Sequence, residues 1–343
     1  MPPGDTELPD LEEKTRFLLA PDSYPEATTA VRLQETHMAR VFLTDQFVYK
    51  MKKPVRFSFL DFSSLDRRYG VCCEELRLNR RLTDDIYLNV VPLRLAAAGE
   101  LSLGEVGTPV EWLVKMRRLQ QEDCLTQQIE RVTAESLMPL LQRLQGFYRA
   151  AVPLPITGAQ YRARMRQRID SVRAGLRTPA LGLDAAEIDG LAASLDDFTR
   201  TRSRLIDKRI ARSPIIEGHG DLRPEHCFLT SPPQIIDCLE FNRDLRCVDP
   251  LDELCYLALE CELLGRTDLG ATIVDSYSDD GAPDPALVHF YQCYRALLRA
   301  QLAAAHLLDA EVPNPDKWYR KTRIYLDAAG RHRDRLSDTQ TNN

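Results

Sequence analysis

The chain has 343 residues, 44% of them hydrophobic, and a formal net charge of −6. That is enough apolar material for one large core or two modest ones in contact, and two lobes are expected. An acidic balance without clustered Lys and Arg argues against nucleic acid or anionic lipid as partners. No apolar stretch reaches the length of a signal peptide core or a membrane span, so the expectation is a cytoplasmic protein that does not engage membranes. The nine cysteines form no CxxC pair and sit at no zinc-finger spacing. Reduced thiols are expected, with Cys227 and Cys238 as small apolar residues on paired strands.

In chain order, residues 31–51 alternate short β-rich runs with brief polar breaks, the pattern of an antiparallel meander. A proline-broken loop, 54–64, leads to residues 65–82, whose apolar positions Val71, Leu78 and Leu82 fall at helical spacing. Strand signals return at 86–93 and 110–116, with Gly104 and Gly107 between them. The total is five strands and one helix. From about 118 the periodicity becomes helical, over roughly 122–131, 134–150 (with Thr133 as cap), 158–175 and 184–212. Residues 215–242 interrupt it with a loop, a strand, a turn at Ser231-Pro232-Pro233 and a second strand. The fold class is therefore α+β. The expected division is an N-terminal extension (1–25), a sheet-bearing lobe (26–118), an α-rich lobe (119–335) containing the loop 219–242, and a disordered tail (336–343).

The chemistry concentrates in that interruption, which reads His219-Gly220-Asp221-Leu222-Arg223-Pro224-Glu225-His226 and then Ile235-Ile236-Asp237. Phosphoryl transfer to a hydroxyl uses one carboxylate to take the proton of the attacking oxygen and another to hold the metal that bridges the nucleotide phosphates. Asp221 and Asp237 are spaced for those two tasks. His219 can brace the loop while Asp221 points outward. Asp237 follows a buried strand, where an unpaired charge costs several kcal/mol unless a metal or a donor meets it, and magnesium is the simplest partner. Asp249 opens an apolar helix, either as its N-cap or as a brace through Arg223 or Arg246.

Lys50 ends the run Phe47-Val48-Tyr49, and Glu75 shares a helical face with Val71, Leu78, Asn79 and Leu82, so Glu75 should face inward toward a cation. Taken alone, Lys50, Lys52 and Lys53 read as a solvated basic edge. Neither GxGxxG nor GxxxxGK[ST] occurs, which excludes a Walker-type fold and leaves Thr36-His37-Met38-Ala39 as the stretch that could cover a phosphate. Viewed alone, it is a hairpin turn.

Taken in order, these elements resemble the aminoglycoside phosphotransferase and choline kinase branch of the protein-kinase-like fold. More closely, the chain is similar to the bacterial group often labelled "aminoglycoside phosphotransferase family enzyme", whose longer members add a C-terminal P-loop kinase domain. The resemblance rests on Glu35-Thr36-His37 with Val41-Phe42-Leu43, Tyr49-Lys-Met-Lys-Lys-Pro54, Leu60-Asp61-Phe62-Ser63, and Glu74-Glu-Leu-Arg-Leu-Asn-Arg-Arg-Leu82. Val114-Lys-Met-Arg-Arg118, His219-Gly-Asp-Leu222 and Ile236-Asp-Cys-Leu-Glu-Phe-Asn242 complete it. It implies a bilobal fold with ATP and Mg2+ in the cleft and a small-molecule hydroxyl as acceptor. By the same resemblance Asp221 is the base, supported by His219 and Arg223, and Asp237 is the metal ligand. Lys50 contacts phosphate with Glu75 as its partner, Thr36 and His37 lie at the nucleotide, and Val114 to Met116 form the hinge for adenine.

Two departures stand out. The position five residues after the base, where the broader family places a metal-binding Asn, is His226, a poorer magnesium ligand. Either one magnesium on Asp237 suffices, or an oxygen of Glu240 or Asn242 substitutes, or catalysis is lost. The P-loop portion of the longer members has no counterpart among these residues, so nothing is carried over from it. A rival reading is a nucleotide-binding or inactive pseudokinase that serves as a scaffold. A third, a metal-dependent hydrolase using His219, His226 and Asp221, has too few ligands. The acceptor's identity is not legible. It should be set by helices within 158–212 and 284–309, where Arg162, Arg164, Arg295 and Arg299 are expected on solvated faces.

Overall fold

A computed structural model of the chain describes residues 8–57, 60–277, 282–309 and 312–341, with side chains through Leu336. It divides into two compact units, the first made of residues 1–128 and 225–246, the second of 129–224 and 247–343. The loop 219–242 is thus shared, with His219, Asp221 and Arg223 in the second unit and His226 and Asp237 in the first.

The first unit carries helix α1 (Leu11–Leu19), strands β1 (Arg32–Glu35), β2 (Ala39–Leu43) and β3 (Phe47–Lys52), helix α2 (Leu65–Asn79), and strands β4 (Tyr87–Leu95), β5 (Leu101–Ser102) and β6 (Thr108–Arg117). The strands form one antiparallel sheet in the order β1-β2-β3-β6-β4-β5. Five of these are the expected strands. The sixth, β5, is a two-residue strand in the glycine-bearing stretch where only a turn was legible.

The period-2 alternation of β3 sorts its side chains between two faces. Tyr49 and Met51 point into a core with Leu18, Tyr24, Phe42, Leu93, Val110 and Leu113. Val48 packs on the other side, against Cys72, Ile86, Tyr87, Val114 and Met116. Lys50 and Lys52 share the parity of Val48, which sends both toward Glu75 on α2. A one-residue slip of register would reverse every one of these assignments.

Within the expected N-terminal extension, residues 10–19 are tied to the sheet. Asp10 and Glu13 form a capping box on α1, Leu18 is completely buried in the sheet core, and Lys14 Nζ lies 3.0 Å from Glu111, which also takes both Arg68 nitrogens. Arg40 reaches back to the Leu11 carbonyl, the Thr15 hydroxyl and Glu12. Buried polar groups are satisfied on both sides of this contact, so α1 closes the core. Two other expectations are corrected here. Helix α2 stops at Asn79, and the helix expected over 122–131 is only a turn at 121–123 and four residues, Leu125–Gln128. Near the end of the unit, Cys227–Phe228 pairs with Gln234–Ile235. Cys227 is on that pair, while Cys238 lies beyond it, and all nine cysteines are free thiols.

The second unit is mostly helical: α3 (Ala134–Ala150), α4 (Gly158–Leu176), α5 (Ala185–Thr201), α6 (Ser203–Arg212), α7 (Pro250–Leu263), α8 (Thr267–Asp275), α9 (Pro285–Ala305) and α10 (Pro315–Thr341). Thr133 caps α3 in a box with Ser136, as expected. The periodic stretch 184–212 is two helices, broken at Arg202. The helix α10 runs to Thr341, into the stretch where a disordered tail was expected, and 342–343 lie outside the described residues. Helix α7 is buried on all sides over Pro250–Leu259 and packs against α8 and α9.

Truncating Leu18 leaves a cavity under the sheet. Leu18→Ala is expected to destabilise the protein by about 2–5 kcal/mol in urea unfolding, the range for fully buried leucines. A detachable N-terminal segment would give a value near zero.

Candidate active site

In the first unit the parity of β3 and the inner face of α2 bring a lysine and a glutamate together in the interior. Lys50 Nζ lies 2.8 Å from Glu75 Oε1 and 2.7 Å from Asp237 Oδ1. Lys52 Nζ is 2.6 Å from Glu75 Oε2 and also pairs with Glu240. Both lysines are therefore structural members of a charge cluster and not a solvated edge. Burial works against the charge on Glu75, but Lys50 and then Lys52 outweigh it and hold the carboxyl below its ordinary range. At Asp237 burial likewise opposes ionisation, and Lys50 followed by His226 more than reverses it, so this carboxyl stays well below the usual range. Lys50 itself is raised: burial disfavours its charge, and Asp237 and Glu75 overcome that.

Asp237 sits at φ +63°, a left-handed conformation uncommon for a residue with a side chain. Neighbours on α2 and β4 hold it there. The Asp237 N–H donates to the Tyr87 hydroxyl at 3.2 Å, and the Cys238 N–H donates to Asn79 Oδ1 at 2.9 Å while Asn79 Nδ2 holds the Glu75 carbonyl at 2.8 Å. Strain maintained by this many contacts is typical of functional positions. The Asp237 side chain remains 43% exposed against 14% for Lys50 and none for Glu75, so its second oxygen is open to a ligand.

His226 Nε2 is 3.6 Å from Asp237 Oδ2, beyond hydrogen-bond range. The two oxygens that could stand in for the family's asparagine are already engaged. Glu240 Oε1 is paired with Lys52, and Asn242 Oδ1 accepts the Asp244 N–H at 3.0 Å. Among the described residues of this unit, Asp237 is the carboxylate best placed to meet a cation. Thr36 is committed to its turn, its hydroxyl accepting the Ala39 N–H at 2.9 Å and the Met38 N–H at 3.3 Å. His37 is exposed beside it. Val114 and Met116 stand on β6, which is paired on both sides, so the first backbone beyond the ladder is at Leu119 and Gln120.

In the second unit, His219 is fully buried, and its Nδ1 accepts the Asp221 N–H at 3.2 Å. Gly220, at φ +89°, donates its N–H to Glu253 Oε1 at 2.5 Å. Gly218 has no room for a side chain, because a Cβ there would come within 2.6 Å of the Glu253 carboxylate. Arg223 clamps Asp221 in the bidentate manner, Nε to Oδ1 at 2.9 Å and Nη2 to Oδ2 at 2.8 Å, and the Tyr256 hydroxyl donates to Oδ1 at 3.0 Å. Asp249 is the N-cap of α7, accepting the Leu251 N–H, and its carboxylate takes Arg209 and Tyr291 rather than Arg223 or Arg246. Arg246 belongs to the first unit, where it lies 2.5 Å from Glu74.

Lys52, Tyr87, Glu253 and Tyr256 are residues around these groups that sequence reasoning missed, and Glu240, expected as a metal oxygen, is instead a partner of Lys52. Lys52 carried a signal, since it follows Lys50 by two on a strand and must share its face. So did Glu253 and Tyr256, one turn apart on α7. The four arginines expected on solvated faces are not a free cluster: Arg162 pairs with Asp207, Arg295 is buried against Asp252, and Arg299 contacts Glu260.

No family model matches the chain. Uncharacterized proteins of Mycobacterium tuberculosis and Mycobacterium bovis are 32% identical to it over 291 residues, a match covering 79% of this chain and 54% of each relative. The chain thus spans about half the length of the curated relatives it matches. Among solved structures, a choline kinase from Cryptosporidium parvum is 10% identical with a TM-score of 0.57, covering 95% of this chain and 97% of that one. A choline/ethanolamine kinase family protein from Mesorhizobium loti is 15% identical with a TM-score of 0.53, covering 93% and 99%. The GDP complex of wild-type aminoglycoside 2'-phosphotransferase-IIIa is 15% identical with a TM-score of 0.52, covering 94% and 98%. The chain therefore has the protein-kinase-like fold of the aminoglycoside phosphotransferases and choline kinases, as the order of its motifs implied.

Glu253 supplies a pH test of the loop brace. Burial pushes its carboxyl up to about 7, the Gly220 N–H and Arg295 opposing this only in part. A folded-state pKa raised above the unfolded value means that the native state binds the extra proton. The stabilisation is present below the unfolded pKa and is lost as pH rises through about 7. Glu253→Gln keeps an acceptor for Gly220 and removes the titration. Its stability relative to wild type should rise by roughly 2 kcal/mol between pH 5 and pH 8 in denaturant melts, and a difference independent of pH would refute the assignment.

Proposed function

We propose that the protein is an ATP- and Mg2+-dependent phosphotransferase acting on a hydroxyl of a small molecule. The observation that carries the reading is Lys50, held within 2.8 Å of both Glu75 and the strained, solvent-open Asp237. Three carboxylates, Glu75, Asp237 and Glu240, face two ammonium groups there, a local deficit of positive charge that suits a divalent cation. Asp237 would hold a magnesium ion, which would supply positive charge to offset that of the nucleotide phosphates.

On this reading Glu75 fixes the Lys50 ammonium so that it can leave Asp237 for a phosphate without losing a partner. Lys52 keeps Glu75 charged while that exchange occurs. Asp221 orients the acceptor hydroxyl and takes its proton. His219 and Glu253 fix the backbone on either side of Gly220, which sets the direction of the Asp221 side chain. Fixing the reacting groups before the reaction is where catalysis in this class gains most of its rate. The shared fold supports the reading.

The reading is tested by thermal melting with and without excess MgATP. A ligand at about a hundred times its Kd adds roughly 2.7 kcal/mol of stability, which raises Tm by a few degrees. Wild type should shift and Asp237→Ala should not. Equal shifts in both would remove Asp237 from the metal site.

A second reading, a nucleotide-binding protein without transferase activity, is favoured by one observation. His226 stands where the family's asparagine ligates metal, and it makes no hydrogen bond to Asp237. His226→Asn separates the two. Higher MgATP turnover in the variant indicates a site that has lost its second oxygen, whereas turnover reduced tenfold or more shows that the imidazole belongs to working machinery.

A further inference from the structure

The side chains around Asp221 are cationic and aromatic. Arg223 occupies both carboxylate oxygens, and the Tyr256 hydroxyl also donates to Oδ1. Arg299, only 11% exposed, reaches Glu260 and the Tyr325 hydroxyl through its Nε, each at 3.3 Å. Its two terminal nitrogens make no hydrogen bond to a described residue. Tyr256 and Glu260 stand four residues apart on one face of α7, so the Asp221–Arg223 pair, held by the Tyr256 hydroxyl, and Arg299, held by Glu260, lie along the same face. Asp221 and Glu260 are carboxylates of this cluster, and Arg295, over the Tyr256 ring, is paired with Asp252.

A carboxylate whose two oxygens are held by a guanidinium fork is a poor proton acceptor, because ionisation is what the fork stabilises. Asp221 becomes a better acceptor for a hydroxyl proton when Arg223 lets go of it, because the lost guanidinium no longer favours the ionised form, and a guanidinium leaves a half-buried carboxylate readily only for another anion. Arg299 presents a second set of unused donors in the same cluster. We propose that the acceptor molecule carries an anionic group, a carboxylate or a phosphate, which Arg223 and Arg299 bind. Arg223 thereby moves from Asp221 to the substrate and releases the base as the acceptor arrives. Such a site selects hydroxy acids or hydroxylated phosphate esters and disfavours cationic acceptors, whose charge would meet two guanidiniums. This specificity rests on the phosphotransferase reading, but the binding it requires does not depend on turnover.

The test uses charge-matched probes on the full chain: glycerol, ethanolamine, glycerate and glycerol 3-phosphate, by calorimetry with and without MgATP and by phosphoryl-transfer assay. Glycerate or glycerol 3-phosphate should bind, and glycerol and ethanolamine should not. Whichever of the two anions binds tighter identifies the group. Arg223→Gln and Arg299→Gln should each weaken anion binding tenfold or more and raise KM for the anionic acceptor, with the MgATP-induced rise in Tm unchanged. Preference for ethanolamine or glycerol overturns the proposal, as does absence of anion binding in wild type. A fall in kcat that is equal for all acceptors overturns it too, because Arg223 would then serve the transferred group. If the anions bind through both arginines while MgATP gives no shift, the anion site stands and the phosphotransferase reading fails.

Discussion

Lys50 cannot be in the interior without Glu75, and Glu75 cannot be there without a lysine. Taking either charge out of water costs several kcal/mol, and the cost is recovered only by close, hydrogen-bonded opposite charge. This mutual dependence fixes the register of β3, because only the observed parity sends Lys50 and Lys52 to the α2 face while Tyr49 and Met51 enter the sheet core. It fixes the rotation of α2, whose inner face is Glu75, Leu78 and Asn79. It also fixes the backbone after Ile236, since Asn79 and Tyr87 grip Cys238 and Asp237 in the positions where Asp237 completes the cluster.

The second unit applies the same constraint at the start of α7. Asp249, Asp252 and Glu253 are all completely buried within the first turn, where the helix dipole favours negative charge. Each carboxylate ties down a different element. Asp249 takes Arg209 of α6 and Tyr291 of α9, Asp252 takes Arg295 of α9, and Glu253 takes the Gly220 amide. One turn of helix thus positions two neighbouring helices and the loop that carries Asp221. Asp221 is thereby fixed although it lies on irregular backbone.

Much of this was legible in the sequence because the physical signals were local. The strand alternation, the helical spacing of Val71, Glu75 and Leu78, the Thr133 cap and the His219-Gly220-Asp221 spacing each depend on neighbours within a turn or two. What was missed depends on distant partners. Nothing near Lys52 shows that Glu240 lies against it, and the solvated-edge reading of the lysines failed for that reason. Arg295 and Arg299 have the spacing of an exposed helical face, yet they are covered because α9 packs against both α7 and α10. The packing of helix α1, within the stretch expected as an N-terminal extension, had no local signal. Its ion pairs with Arg40 and Glu111 are invisible without the sheet. The helix expected over 122–131 failed for the opposite reason: the apolar spacing is present, but Cys124 is instead bridged to Phe228, which draws the chain out of helical geometry.

Two carboxyls in this protein move in opposite directions, and the difference lies in what faces them. Burial raises both Asp237 and Glu253. At Asp237 an ammonium at 2.7 Å and a nearby imidazole reverse the effect, so the group stays ionised across the whole physiological range. At Glu253 one amide N–H and a guanidinium already paired to Asp252 are not enough, and the carboxyl titrates near neutrality. A metal ligand must be charged whenever the metal arrives, which requires the first arrangement. A brace needs only an acceptor oxygen for Gly220, which either protonation state of a carboxyl provides, so the second arrangement suffices. The environment thus keeps one acid charged and leaves the other to titrate, which is what the proposed phosphate site asks of Asp237 and what a brace allows in Glu253.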